Sequence, residues 1–298
     1  MTNTASGAPR SLGRRLATWL HARPRLQLRL LLAAPMAWIG LAYLGSLVIL
    51  LLNGVWAKDA FSGRVIPFDW SLDAFASLFG EEVYRTIAVR TIAVALLVTL
   101  TDILIGFPIA YYMARVAAPR TRRFLVVAVL IPLWASYLVK IYAWRTILQG
   151  NGLLDSVLSP LGIEGPGLTA IVNSWLVLSY LWLPYMILPI YAGLERIPTS
   201  LLEASSDLGA RAGTTFRRVV LPLALPAVAA GSIFTFSLTL GDYITPSLVS
   251  NTKFIGNVIY DNSSLGNVPL AAAYSLLPIL IMVGYLLLAR RLGAFESL

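Results

Sequence analysis

The sequence predicts an all-α polytopic membrane protein with six spans, and three observations carry that reading. Apolar residues make up 58 % of the 298 and charged residues only 12 %, where a soluble domain has roughly 45–50 % and 25 %. Six stretches are long enough to cross a hydrocarbon core of about 30 Å, which takes roughly 20 apolar helical residues. Lys and Arg gather between alternate stretches, sixteen on one side of the chain's weave against four on the other.

The stretches fall at about 31–52, 87–113, 124–148, 168–194, 221–249 and 270–289. The first, a 22-residue apolar run, is longer than the roughly 7–15 residues of a signal-peptide core and reads as a retained anchor. Pro108, Pro132, Pro184, Pro189, Pro226 and Pro278 lie inside spans, where neighbouring groups take up the freed carbonyls. The chain divides into a basic segment, 1–30, and a transmembrane domain, 31–298. Basic residues favour the cytoplasmic side. Segments 1–30, 115–123, 195–218 and 290–298 carry the sixteen, so both termini are expected there. The longest outer connection, 53–86, holds Trp56, Phe68, Trp70, Phe75 and Phe79, either as an aromatic belt or as a surface helix.

Several chemistries are excluded. There is no Cys and one His, His21, so thiolate and His-rich metal sites and nucleophile–His–acid sets cannot be assembled. The net charge of +9 sits in short clusters between apolar stretches, which does not suit nucleic-acid binding. A phosphate-binding loop needs Gly-Lys-Ser/Thr. None of Lys58, Lys140 or Lys253 has those neighbours, so the chain does not hydrolyse ATP.

The segment from Glu195 to Pro226 carries the sharpest local signal. Ser200 and Glu203 have the spacing of a capping box, Leu201, Leu202, Ala204 and Leu208 form an apolar stripe, and Gly209 is placed to end the helix. A second helix is expected to start near Thr214 or Thr215 and run through Phe216 to Val220, with Pro222 and Pro226 marking entry into the next span. A surface connection with well-made caps accounts for each residue singly. An apolar stripe outside the bilayer instead asks for a partner.

Over these residues the sequence resembles the EAA loop of permease subunits from bacterial ABC importers that depend on a solute-binding protein: EAA, three residues, Gly, nine residues, Ile-x-Leu-Pro. Glu203-Ala204-Ser205 fills the triplet, Gly209 follows at the right spacing, and Val219-Val220-Leu221-Pro222 closes the pattern. Ser205 in place of Ala and Val219 in place of Ile are the departures. Leu130 to Trp144, Asn151 to Leu154, Leu183 to Pro198, Leu240 to Val249 and Ile255 to Ile259 resemble the first permease component of spermidine/putrescine importers. The resemblance covers spans two to six. It implies the type I ABC importer permease core in a bacterial inner membrane, with Glu203, Ala204, Ser205, Gly209, Leu221 and Pro222 in the ATPase-coupling loop. It also implies a second permease subunit, two ATPase subunits that bind ATP and Mg, an extracytoplasmic solute-binding protein, no cofactor on this chain, and alternating access.

For the solute the residues point two ways. Asp242 and Tyr243 lie near the outer end of span five, where a discontinuous helix could line a pathway, and a carboxylate beside aromatic faces suits an alkylammonium. Trp134, Tyr137, Tyr142 and Trp144 add aromatic surface, either for binding or as belt and packing. Lys140 and Arg145 in the same block would repel a polycation unless they snorkel to the interface. Asp102, near mid-span, is either a pathway acid or one member of an internal ion pair or polar contact. A polyamine permease is the leading reading. A permease for another small solute, anions included, stands beside it, and an ion-coupled carrier has no use for an ATPase dock.

Overall fold

The computed structural model describes residues 24–59, 65–149, 152–153 and 169–291. His21, most of the basic 1–30 segment, Asn151 and Leu154 lie outside the described residues. The chain forms two units, one ending at Asn53 and one beginning at Gly54.

In the first unit α1 (Pro24–Trp38) passes through a π-helical turn (Ile39–Leu44) into α2 (Gly45–Asn53). Leu31, Trp38, Leu41 and Ile49 are exposed, as a lipid-facing helix requires.

The second unit opens with an antiparallel hairpin, β1 (Trp56–Lys58) and β2 (Val65–Trp70), with Trp56 opposite Trp70 and Lys58 opposite Val65. A short helix, α3 (Asp73–Gly80), follows. The 53–86 connection is therefore a hairpin and a helix, neither a bare belt nor a surface helix alone. Leu78 on α3 packs with Ile87, Phe236 and Tyr274, which ties the connection to the spans.

The core is built on α4 (Glu82–Tyr111), α7 (Ala170–Arg196) and α10 (Leu221–Gly241), with α13 (Val268–Arg291) alongside. Lipid offers no hydrophobic drive for helices to associate, so close packing has to hold them. Met186 on α7 lies against Gly106 of α4 and Gly231 of α10. Five helices among the described residues are long and apolar enough to span, and six if one bent pair is counted.

That pair corrects the expected third span. Residues 124–148 are not one helix: α5 (Pro119–Trp134) and α6 (Tyr137–Leu148) meet at 92°. Ala135 and Ser136 are extended, with ψ of 140° and 133°, so the Ser136 N–H turns away from the Pro132 carbonyl. Lys140 Nζ takes that carbonyl at 3.0 Å. The fifth span is also broken. α10 stops at Gly241, Asp242 is extended, and α11 (Ile244–Val249) follows before α12 (Ile255–Ser264).

Candidate functional site: the 195–222 loop and the broken outer helix

The 195–222 loop is helix, break, helix. α8 (Thr199–Asp207) starts behind Pro198, two residues earlier than the capping box would have it. Pro198 is the N-cap and no side chain caps the helix, so Ser200 sits inside the first turn. This corrects the Ser200 reading: proline, with its fixed φ, enters the helix in its place. The far end follows expectation. Gly209 has φ +75°, a region costly for any residue with a Cβ. Its N–H donates to Ser206 O at 2.8 Å and that of Ala210 to Ser205 O at 3.1 Å, the paired bonds of a Schellman ending.

The return arm begins at α9 (Ala212–Thr215), two residues before the expected Thr214, and runs through a π-helical turn (Phe216–Val220) into Leu221 and Pro222. In the π-turn the Leu221 N–H donates to Phe216 O. Pro222, with no N–H, cannot serve the Arg218 carbonyl. Ser205, the departure from Ala, joins the two arms: its Oγ lies 2.8 Å from Thr215 Oγ1. Glu203 and Ala204 are exposed and Leu208 is 88 % exposed. A shallow hollow of about 650 Å³ runs between the arms, lined by Leu201, Ala204, Leu208, Thr214, Arg218 and Val219. Leu202 turns inward to the core. The stripe thus splits, one leucine holding the loop and the others left open.

The break after α10 is centred on Asp242, only 7 % exposed. Oδ1 accepts the N–H groups of Ile244 at 2.9 Å and Thr245 at 3.1 Å, which caps α11. Oδ2 accepts the hydroxyls of Thr245, at 2.7 Å, and of Tyr137. Tyr137 stacks on Trp182, ring centroids 5.9 Å apart. No salt bridge reaches Asp242 among the described residues, so the carboxyl group is hydrogen-bonded with no cation beside it.

α12 closes the break from behind. A Cβ on Gly256 would stand 2.7 Å from Gly241 O, so only glycine lets the two backbones meet there. Asn257 accepts from the Phe254 N–H at 2.9 Å and donates to Tyr243 O at 2.8 Å. Tyr243 stacks on Tyr260, centroids 4.5 Å apart.

The expected aromatic set divides. Tyr137 joins Asp242, and Trp144 packs on Tyr180. Trp134, at the bend between α5 and α6, and Tyr142 are exposed and take no part. Lys140 is bound to Pro132 and Arg145 is exposed. Asp102 is fully buried, and neither carboxylate oxygen has a partner among the described residues. Of its two readings, the internal ion pair or polar contact is not found among the described residues. Trp182, Thr245, Gly256, Asn257 and Tyr260 are site residues that sequence reasoning did not single out. The signal available for two of them was the Ile255-Gly256-Asn257 run, a glycine beside a side-chain amide in the first turn of α12.

The model of the family described as "Binding-protein-dependent transport system inner membrane component" matches residues 106–295. The chain is 46 % identical over 292 residues to the inner membrane ABC transporter permease protein YdcU of Escherichia coli (strain K12), covering 92 % of each chain. It is 31 % identical over 229 residues to the spermidine/putrescine transport system permease protein PotB of Haemophilus influenzae, covering 73 % of this chain and 79 % of that protein. In fold it resembles a chain of the bacterial alginate ABC transporter solved with an alginate pentasaccharide-bound periplasmic protein. The TM-score is 0.70 at 17 % identity, with 92 % of this chain and 96 % of that one covered.

Proposed function

The chain belongs to the family of inner-membrane permease components of binding-protein-dependent ABC importers, and from that premise we propose that its cargo is a polyamine of the spermidine/putrescine kind. One observation carries the choice of cargo: Asp242 is a buried carboxylate at a helix break with no cation beside it among the described residues. Four donors, two backbone N–H groups and two hydroxyls, converge on its oxygens. Covered by Tyr137, it acts on a passing ammonium through its field rather than by contact. Of the two basic residues that argued for an anion, Lys140 is turned to the Pro132 carbonyl and Arg145 is exposed. The likeness to PotB over 73 % of the chain supports the same reading. The higher identity to YdcU, whose name specifies no solute, keeps another small solute as the second reading.

In this proposal Tyr243, Tyr137 and Trp144 lie along the outer part of the pathway and Asp102 deeper in it, while Trp134 and Tyr142 meet lipid or the second permease subunit. Glu203, Ala204, Ser205, Gly209, Leu221 and Pro222 belong to the dock for one of two ATPase subunits. The termini and the 195–222 loop face the cytoplasm, and a solute-binding protein delivers from outside. A reporter active only outside the cytoplasm, fused after Leu265, is expected to be active, and after Arg211 silent. The reverse pattern overturns the orientation.

The cargo is tested by uptake of radiolabelled spermidine and putrescine into vesicles holding the complete complex. A unit charge about 10 Å away at an effective dielectric of about 20 acts with about 1.7 kcal/mol. Asp242→Asn should therefore slow polyamine uptake roughly tenfold at unchanged complex yield. Asp102→Leu removes a buried group without a partner, and should leave yield equal or higher. Uptake of an anionic or neutral solute with none of either polyamine overturns the reading.

A further inference from the structure

Three spans end side by side where the 195–222 loop begins, and two arginines join them. α7 runs out at Pro198, and the Leu194 carbonyl keeps only a long chain bond, from the Ile197 N–H at 3.3 Å. Arg115, in the π-helical turn (Tyr112–Val116) that continues α4, fills the gap. Its Nη2 donates to the carbonyls of Leu194 and of Ile197, the latter at 2.7 Å. A guanidinium there also meets the negative end of the α7 dipole.

Arg122 on α5 repeats the device one span along. Its Nε donates to Met113 O at 3.0 Å and its Nη2 to Ala114 O at 3.1 Å. Its Nη1 pairs with Glu195 Oε1 at 3.2 Å, and Tyr191 donates to the same oxygen at 2.8 Å. The return arm of the loop is fastened to the same span. The Phe216 ring stands edge-on to Phe107 at 5.7 Å and to Tyr111 at 5.8 Å. Both arms of the loop are thus tied to residues 107–115, the entry arm through Arg115 and the exit arm through Phe216.

We infer that Arg115 is a positioning residue that makes the 195–222 loop and the 82–116 span move as one body, so that displacement of the loop tilts the span. A lysine replaces it only in part: an ammonium can donate to two carbonyls as Nη2 does, but the lysine side chain is one bond shorter and carries no second nitrogen. The inference rests on the loop being the ATPase dock, and its test separates the two.

Single cysteines at Asp207 and Leu104, both exposed, can carry spin labels in the assembled complex, since the chain has no Cys of its own. The distance between them should stay the same with and without a trapped nucleotide. In Arg115→Ala it should broaden or shift with nucleotide. In the same variant, the ATPase should stay bound while spermidine imported per ATP hydrolysed falls at least tenfold, with Arg115→Lys between the two. Should Arg115→Ala fail to accumulate, Arg115→Lys and Phe216→Leu carry the test by the same distance and ratio. A label distance that moves with nucleotide in the unaltered chain overturns the inference. So does a variant whose distance and coupling ratio stay unchanged. The docking reading fails differently: Glu203→Lys would then leave ATPase binding intact whatever Arg115 does.

Discussion

The 195–222 loop and the break at Asp242 both interrupt the spans, and they are made in opposite ways. The loop is assembled from neighbours in sequence. Its ending at Gly209 uses carbonyls three and five residues back, and its two arms meet through Ser205 and Thr215, ten apart. The break is assembled from a distance: Tyr137 reaches Asp242 across 105 positions, and the Ile255 N–H donates to Thr91 Oγ1 across 164. The loop is open and the break is closed. Leu208 is 88 % exposed, whereas Asp242 is 7 % exposed. One leaves apolar side chains uncovered, the other holds a bent chain inside the bundle.

The largest expected effect breaks the loop alone. Gly209 holds φ +75°, which proline, fixed near −65°, cannot adopt. Gly209→Pro should abolish uptake and release the ATPase, with the chain still in the membrane and the Asp242 end intact. Glu203→Lys, which leaves the backbone alone, should also abolish uptake if the exposed carboxylate lies in the dock. Copurification of the ATPase checks both. Wild-type coupling in both would make the loop a connector only.

The counterpart breaks the Asp242 end alone. Gly256→Val puts a branched side chain where even a Cβ would stand 2.7 Å from Gly241 O and 3.2 Å from Asp242 C. Overpacking of this kind typically costs about 1–3 kcal/mol, and here it falls on the backbone that positions Asp242. Uptake should drop about tenfold to a hundredfold while the ATPase still binds. Loss of ATPase binding in Gly256→Val would mean that the two regions are not independent.

The same contrast decides what could be seen in the sequence. Gly209 announced its turn because positive φ, the end of a stripe and the following chain are all local facts. The Ser200 cap misled because Pro198, two residues earlier, competes for the same helix start and has the stiffer preference. The bend at Ala135–Ser136 was invisible, since the apolar run passes through it unbroken and Lys140 restores the lost hydrogen bond from eight residues away. Asp242 was found by its charge in an apolar span. Tyr137 stood out as an aromatic face but not as its hydrogen-bond partner, and Thr245 and Gly256 are ordinary residues until the chain brings them together. Charge and turns read out locally; packing does not.

The smallest expected effect sharpens what Ser205 does. It departs from the EAA pattern yet links the two arms of the loop through Thr215, at 2.8 Å. A hydrogen bond between neutral groups contributes about 0.5–1.5 kcal/mol net, and one that water can replace falls at the low end. Ser205 is half-buried, and alanine is the better helix former by about 0.5 kcal/mol. The two terms nearly cancel. Ser205→Ala should therefore leave uptake within about twofold and thermal stability almost unchanged. The double variant Ser205→Ala/Thr215→Val should cost no more than Thr215→Val alone, because the bond is already gone once either hydroxyl is removed. Costs that simply add would mean that the hydroxyls act separately, and that packing alone holds the arms together.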